Sequence, residues 1–96
     1  MLIIAGHVQV DPEERDRVVA AMADLVRRGR AAPGCLDLAV TADSLDPGRI
    51  NNLERWESAQ ALDDWRAVAH APDVGDAIIT DHASLFDVTG ERSPFA

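Results

Sequence analysis

The stretch CLDLAVTADSLDPGRINNLERWE, residues 35–57, decides how this chain folds. Leu36, Leu38 and Val40 alternate with Cys35, Asp37, Ala39 and Thr41, the period-two pattern of a half-buried strand. Asp46-Pro47-Gly48, within 43–49, supplies the turn: proline presets φ, aspartate bonds its own backbone, and glycine accepts unusual dihedrals. Ile50 to Glu57 then reads as the returning strand, with Ile50, Asn52, Glu54 and Trp56 on one face. Residues 35–57 are therefore a β-hairpin.

Working outward, Leu2 to Val10 is a further strand. Leu2, Ile4, Gly6, Val8 and Val10 share one face, and Ile3, Ala5, His7 and Gln9 the other. Asp11-Pro12 with Glu14 reads as a capped helix start. Val18, Met22 and Leu25, flanked by Val19 and Val26, follow at helical spacing. Arg27, Arg28 and Arg30 suit the helix C-terminus, and Pro33-Gly34 ends it. Downstream of the hairpin, Ser58 caps a second helix whose inner face is Leu62, Trp65, Val68 and Ala69, stopped by Pro72. A helical turn within 73–80 and a last strand from His82 to Thr89 complete the order strand, helix, strand, strand, helix, strand. One domain over 1–90, with a loose tail at 91–96, is the expected organisation.

The chain has 96 residues, nine Lys plus Arg and seventeen Asp plus Glu, for a net charge of −8. That sign repels phosphate backbones and anionic lipid, so no nucleic acid and no membrane is expected as partner. No apolar run approaches the roughly 20 residues of a membrane helix, and the N-terminus lacks a basic n-region, which points to the cytoplasm. Cys35 is the only cysteine, which removes internal disulfides and multi-thiolate metal sites. His7, His70 and His82 show no metal-ligand spacing, so no metal is assigned. Two helices cover one face of a four-stranded antiparallel sheet, yet most strands carry apolar side chains on both faces. A second copy of the chain is the economical cover for the other face.

Motifs for phosphate loops, zinc proteases, nucleophile elbows and calcium loops are missing from the sequence. The informative face is that of Asn52, Glu54 and Trp56, too polar for plain core. An amide and an indole about 13 Å apart suit a flat aromatic ligand with oxygen substituents. The competing reading has Trp56 capping the core and Asn52 bonding a loop. His7, an imidazole, is the candidate base, or else a histidine of the sheet–sheet interface. Trp65 is either a pocket wall or helix core, and His70 either completes a helix end or borders the pocket mouth.

Pro33-Gly34-Cys35-Leu36, the turn Asp46-Pro47, and Glu54-Arg55-Trp56-Glu57-Ser58 followed by Ala61-Leu62 resemble the antibiotic biosynthesis monooxygenase (ABM) family, in order and spacing over nearly the whole chain. The resemblance implies an α+β, ferredoxin-like βαββαβ fold that dimerises through its sheets into an α/β barrel. Each subunit keeps a pocket between sheet and helices. It further implies oxidation of a small aromatic quinol or anthrone with O2, with no cofactor, neither metal nor flavin. Asn52 and Trp56 match an asparagine and tryptophan of the family's anthrone oxygenases. Their tyrosine falls on Leu62, and this chain has no tyrosine. Of the haem-degrading branch, Trp65 matches a tryptophan, but His7 stands for its asparagine and Gly75 for its histidine, so haem degradation is not expected. The catalytic candidates are thus His7, Asn52 and Trp56, and the substrate-binding candidates Trp65, Leu62 and His70. A non-catalytic member, binding an aromatic molecule or serving as an accessory protein, is the alternative.

Overall fold

The computed structural model describes residues 1–95; of the expected tail, residue 96 lies outside them. The elements are β1 (Leu2–Val10), α1 (Arg15–Ala21), α2 (Ala23–Arg30), β2 (Cys35–Ala42), β3 (Arg49–Trp56), α3 (Ala59–Val68), β4 (Ile78–Asp81) and β5 (Ser84–Asp87). A 3-10 turn at Gly75–Ala77 precedes β4. The strands form one antiparallel sheet in the order β2-β3-β1-β4, with β5 also paired to β1. This is the ferredoxin-like α+β arrangement, with the helices against one face.

The last strand departs from the expected 82–89. It is two short strands on one edge of β1: β4 pairs with Val8–Val10 and β5 with Leu2–Ala5. The break at His82 and Ala83 sits opposite Gly6, whose φ is +155°. A Cβ at residue 6 would lie 2.4 Å from the His82 carbonyl oxygen and 2.5 Å from the Ala83 Cα. Only glycine lets the edge chain come this close.

Local chemistry accounts for other departures. Asp11 does not cap the first helix. Its Oδ1 accepts the Glu13 N–H at 2.9 Å, holding a turn, and the helix begins three residues later than Pro12, at Arg15. The expected single helix divides at Met22, whose N–H is shared between the Val18 and Val19 carbonyls. In β2 a bulge lies between Cys35 and Asp37. It turns Leu36 outward to 44% exposure and brings Cys35 against the core, reversing the expected faces of these two residues. Desolvation there pushes the Cys35 thiol above its ordinary pKa. Ser58 does cap α3, its Oγ accepting the Ala61 N–H at 3.1 Å.

The helix-facing core is in two parts. Leu2, Leu38, Trp56, Leu62 and Trp65 form one cluster, and Val8, Val10, Val18 and Ile50 the other. Between them the paired positions are Ile4 with Glu54 and Gly6 with Asn52. Helix α2 reaches the sheet through Gly29, where a Cβ would stand 3.0 Å from Leu38 Cδ1 and 3.2 Å from Trp65 Cζ2.

The β2–β3 connection is stapled by acid side chains. Asp43 accepts the Asp46 N–H at 2.8 Å, the Leu45 N–H at 3.1 Å and the Asn51 amide at 2.9 Å. Arg15 donates to the Asp43 and Asp46 carbonyls, tying α1 to the turn. The Asp46 N–H above all, then Asn51 and Leu45, holds the Asp43 carboxyl at about 2, below its ordinary 3.8.

Gly6→Ala destabilises the fold by more than about 1 kcal/mol in urea unfolding, and an unchanged midpoint would contradict the close approach. The folded pKa of Asp43 lies below the unfolded one, so its contribution is complete above 3.8 and disappears as pH falls through about 2. Asp43→Asn should therefore flatten the acid limb of stability against pH in that window. Parallel limbs for the two proteins would refute the assignment.

Candidate functional site

The gap between the two core clusters is a cavity of about 400 Å³ between the sheet and helices α2 and α3. Its floor is Asn52 and Glu54 of β3 with Ile4, Leu38 and Val40 of the neighbouring strands. Leu25 of α2 and Trp65 of α3 form the helical wall. Arg66, Asp81 and Ser84 also line it and add polar groups. The alternation of β3 dictates this floor: Ile50 and Trp56 face the core at either end, and two polar residues face it between them.

Trp65 is 7% exposed and stacks on Trp56, with centroids 6.3 Å apart and planes 24° from parallel. Arg28 lies over the Trp65 ring, its guanidinium carbon 5.7 Å from the centroid. Trp56 is fully buried, and its indole N–H donates to Glu54 Oε1 at 3.1 Å. Asn52 makes no side-chain hydrogen bond among the described residues, so both ends of its amide can serve a ligand.

The site candidates read from sequence separate into groups. Asn52 and Trp65 come together at the cavity. Trp56 stands behind Trp65 and Glu54 and does not line it; the indole exposed to the cavity is that of Trp65. Leu62 is 2% exposed in the core beside both indoles, also behind the lining. His70 is exposed just beyond α3, at a φ of +48°, and does not reach the cavity. His7 pairs with Asn51, so it lies on the sheet face opposite Asn52, where its ring stacks on His82 at 4.8 Å between centroids. It is not placed to act on a ligand in its own subunit's cavity. The two strand faces were each readable, but not which face of β1 shares a side with Asn52.

Glu54, Arg66 and Asp81 are cavity residues to which sequence reasoning gave no role. Two polar residues, Asn52 and Glu54, at alternate strand positions flanked by the large apolar Ile50 and Trp56 are the available signal for Glu54. Nothing in the local pattern brings Asp81 to the site, because it depends on the split edge strand. Among the described residues no three His, Cys, Asp or Glu side chains converge as a metal-ligand group. A surface depression of about 480 Å³ beside the start of α1, lined by residues such as Asp11, Glu14 and Val74, has no aromatic or amide side chain among its described lining residues.

Residues 1–74 match the family model for antibiotic biosynthesis monooxygenase. A crystal structure of an antibiotic biosynthesis monooxygenase superposes with a TM-score of 0.78 at 27% identity, over 94% of this chain and all of the other. A Nitrosomonas europaea structure carrying the same family name gives 0.81 at 14% identity, over 92% and 98%. A Mycobacterium tuberculosis structure gives 0.70 at 24% identity, over 96% and 97%. An uncharacterised Synechocystis protein is 24% identical over 62 residues, 65% of this chain. The chain spans only 42% of that curated relative's length. With most of its length matched by the family model and its fold shared with these structures, the chain belongs to the antibiotic biosynthesis monooxygenase family.

Proposed function

We propose that the chain is a cytoplasmic monooxygenase that oxidises a small aromatic quinol or anthrone with O2 and uses neither metal nor flavin. The observation that carries this reading is the meeting of Asn52 and Trp65 at one cavity of aromatic-ligand size. A quinol or anthrone becomes a reductant for O2 once its proton is lost to solvent, because its anion is electron-rich; one oxygen atom then bonds to the ring carbon and the other leaves as water. The protein's share of the work is then to hold the ring, exclude water and stabilise the developing oxyanion. Trp65, Leu38 and Val40 give the ring apolar contact, and the Asn52 amide donates to the oxygen. Arg66 is available to balance negative charge at the wall. The chain has no tyrosine, so no phenol of its own takes part.

The open sheet face supports a homodimer. It carries Ile3, Ala5 and Leu53, and a half-exposed Phe86, opposite the helices. A second copy packed there would also enclose His7 and His82.

A second reading is favoured by one fact: no histidine is among the described residues that line the cavity, so an imidazole base is missing from that lining. On that reading the protein binds the aromatic molecule without turning it over, as an accessory protein. Oxygen uptake with a panel of hydroquinones and anthrones, chelator present, separates the two. The monooxygenase reading expects uptake that falls by about 10²-fold in Asn52→Ala and stays intact in His7→Ala. Binding without uptake supports the accessory reading. Uptake indifferent to Asn52 contradicts the site.

A further inference from the structure

We infer that Glu54 determines which aromatic ligands this cavity accepts, by taking a hydrogen bond from a neutral ligand hydroxyl, and that the Trp56 indole fixes Glu54 for that role. The inference rests on the aromatic-ligand reading above and adds a specificity residue to it.

The carboxylate stands at a core-facing position of β3 and lines the cavity. One oxygen is committed. Trp56 is 0% exposed, so its N–H has no water to bond, and its partner is Glu54 Oε1 at 3.1 Å. A buried indole donor deprived of that partner would stay unsatisfied, which makes the arrangement self-enforcing. The second oxygen, Oε2, has no hydrogen bond or ion pair among the described residues. An ionised carboxylate only accepts, so this oxygen asks a ligand for a donor.

The charges around it narrow the ligand further. Glu54 and Asp81 line the cavity with Arg66 as the one cationic side chain among the described lining residues. The balance is negative, which disfavours an anionic group beside Glu54 and suits an uncharged hydroxyl. Asn52 lies two residues away on the same face, about 7 Å along the strand, and can donate to a carbonyl. A planar arene with a hydroxyl at one end and a carbonyl oxygen at the other satisfies both side chains at once. Removing the hydroxyl hydrogen leaves Oε2 desolvated and unpaired, the kind of mismatch on which sites discriminate strongly.

7-Hydroxycoumarin carries that pair of groups, and 7-methoxycoumarin lacks only the donor hydrogen. Calorimetric binding to the full chain at pH 6, with the coumarin hydroxyl neutral, should favour the hydroxyl compound by at least about tenfold. Glu54→Gln keeps an oxygen for the Trp56 N–H but turns an amide N–H2 to the ligand, so the two compounds should then bind about equally. Trp56→Phe releases the carboxylate and should reduce the preference, mainly through weaker binding of the hydroxyl compound. Equal binding by the unsubstituted protein, or a preference that survives Glu54→Gln, would overturn the role of Glu54. Failure of both coumarins to bind would overturn the aromatic-ligand reading itself, and this inference with it.

Discussion

The structure depends on a shortage of apolar volume at the middle of the helix-facing sheet. Leu2 with Trp56 and Val8 with Ile50 fill the ends of the β1–β3 pair, but Gly6 faces Asn52, and Glu54 lies beside Ile4. Helices resting on the two filled ends span the middle without closing on it. The cavity is thus a consequence of pairing register, because a slip by one residue would move Asn52 and Glu54 to the opposite face. Gly6 serves twice, as the missing side chain in this row and as the point where the edge chain crosses from β4 to β5.

Around that gap, stability and site construction use the same contacts. Stacking of Trp56 on Trp65 fixes the cavity's aromatic wall, and Gly29 lets α2 close against it. The Trp56–Glu54 hydrogen bond satisfies a buried donor and also orients a carboxylate beside the cavity. An apolar residue in place of Asn52 would pack better against Val40, its partner across the β2–β3 pair. Keeping a polar group at such a position, at some expense of stability, is what a binding site looks like in energetic terms.

Much of this was legible from residue patterns. Alternation identified β1, β2 and β3, Asp46-Pro47-Gly48 located the hairpin turn, and Ser58 marked the start of α3, because each signal is local. The oddly polar face of Asn52 and Glu54 was legible for the same reason. What local patterns leave open needs information from another strand or helix. Placing His7 depended on how β1 registers with β3. Exchanging the two indoles, Trp65 at the cavity and Trp56 behind it, depended on how α3 crosses the sheet. The outward turn of Leu36 comes from a bulge set by pairing with β3, and the divided edge strand comes from Gly6 on a strand some 75 residues away in sequence.

Asn52→Leu offers the most direct measurement, since it fills the gap without removing a protein hydrogen bond among the described residues. If the central shortage of apolar volume is what makes the site, its unfolding free energy should rise by about 1 kcal/mol while aromatic-ligand binding is lost. A less stable variant, or one that binds its ligand as before, would contradict the account.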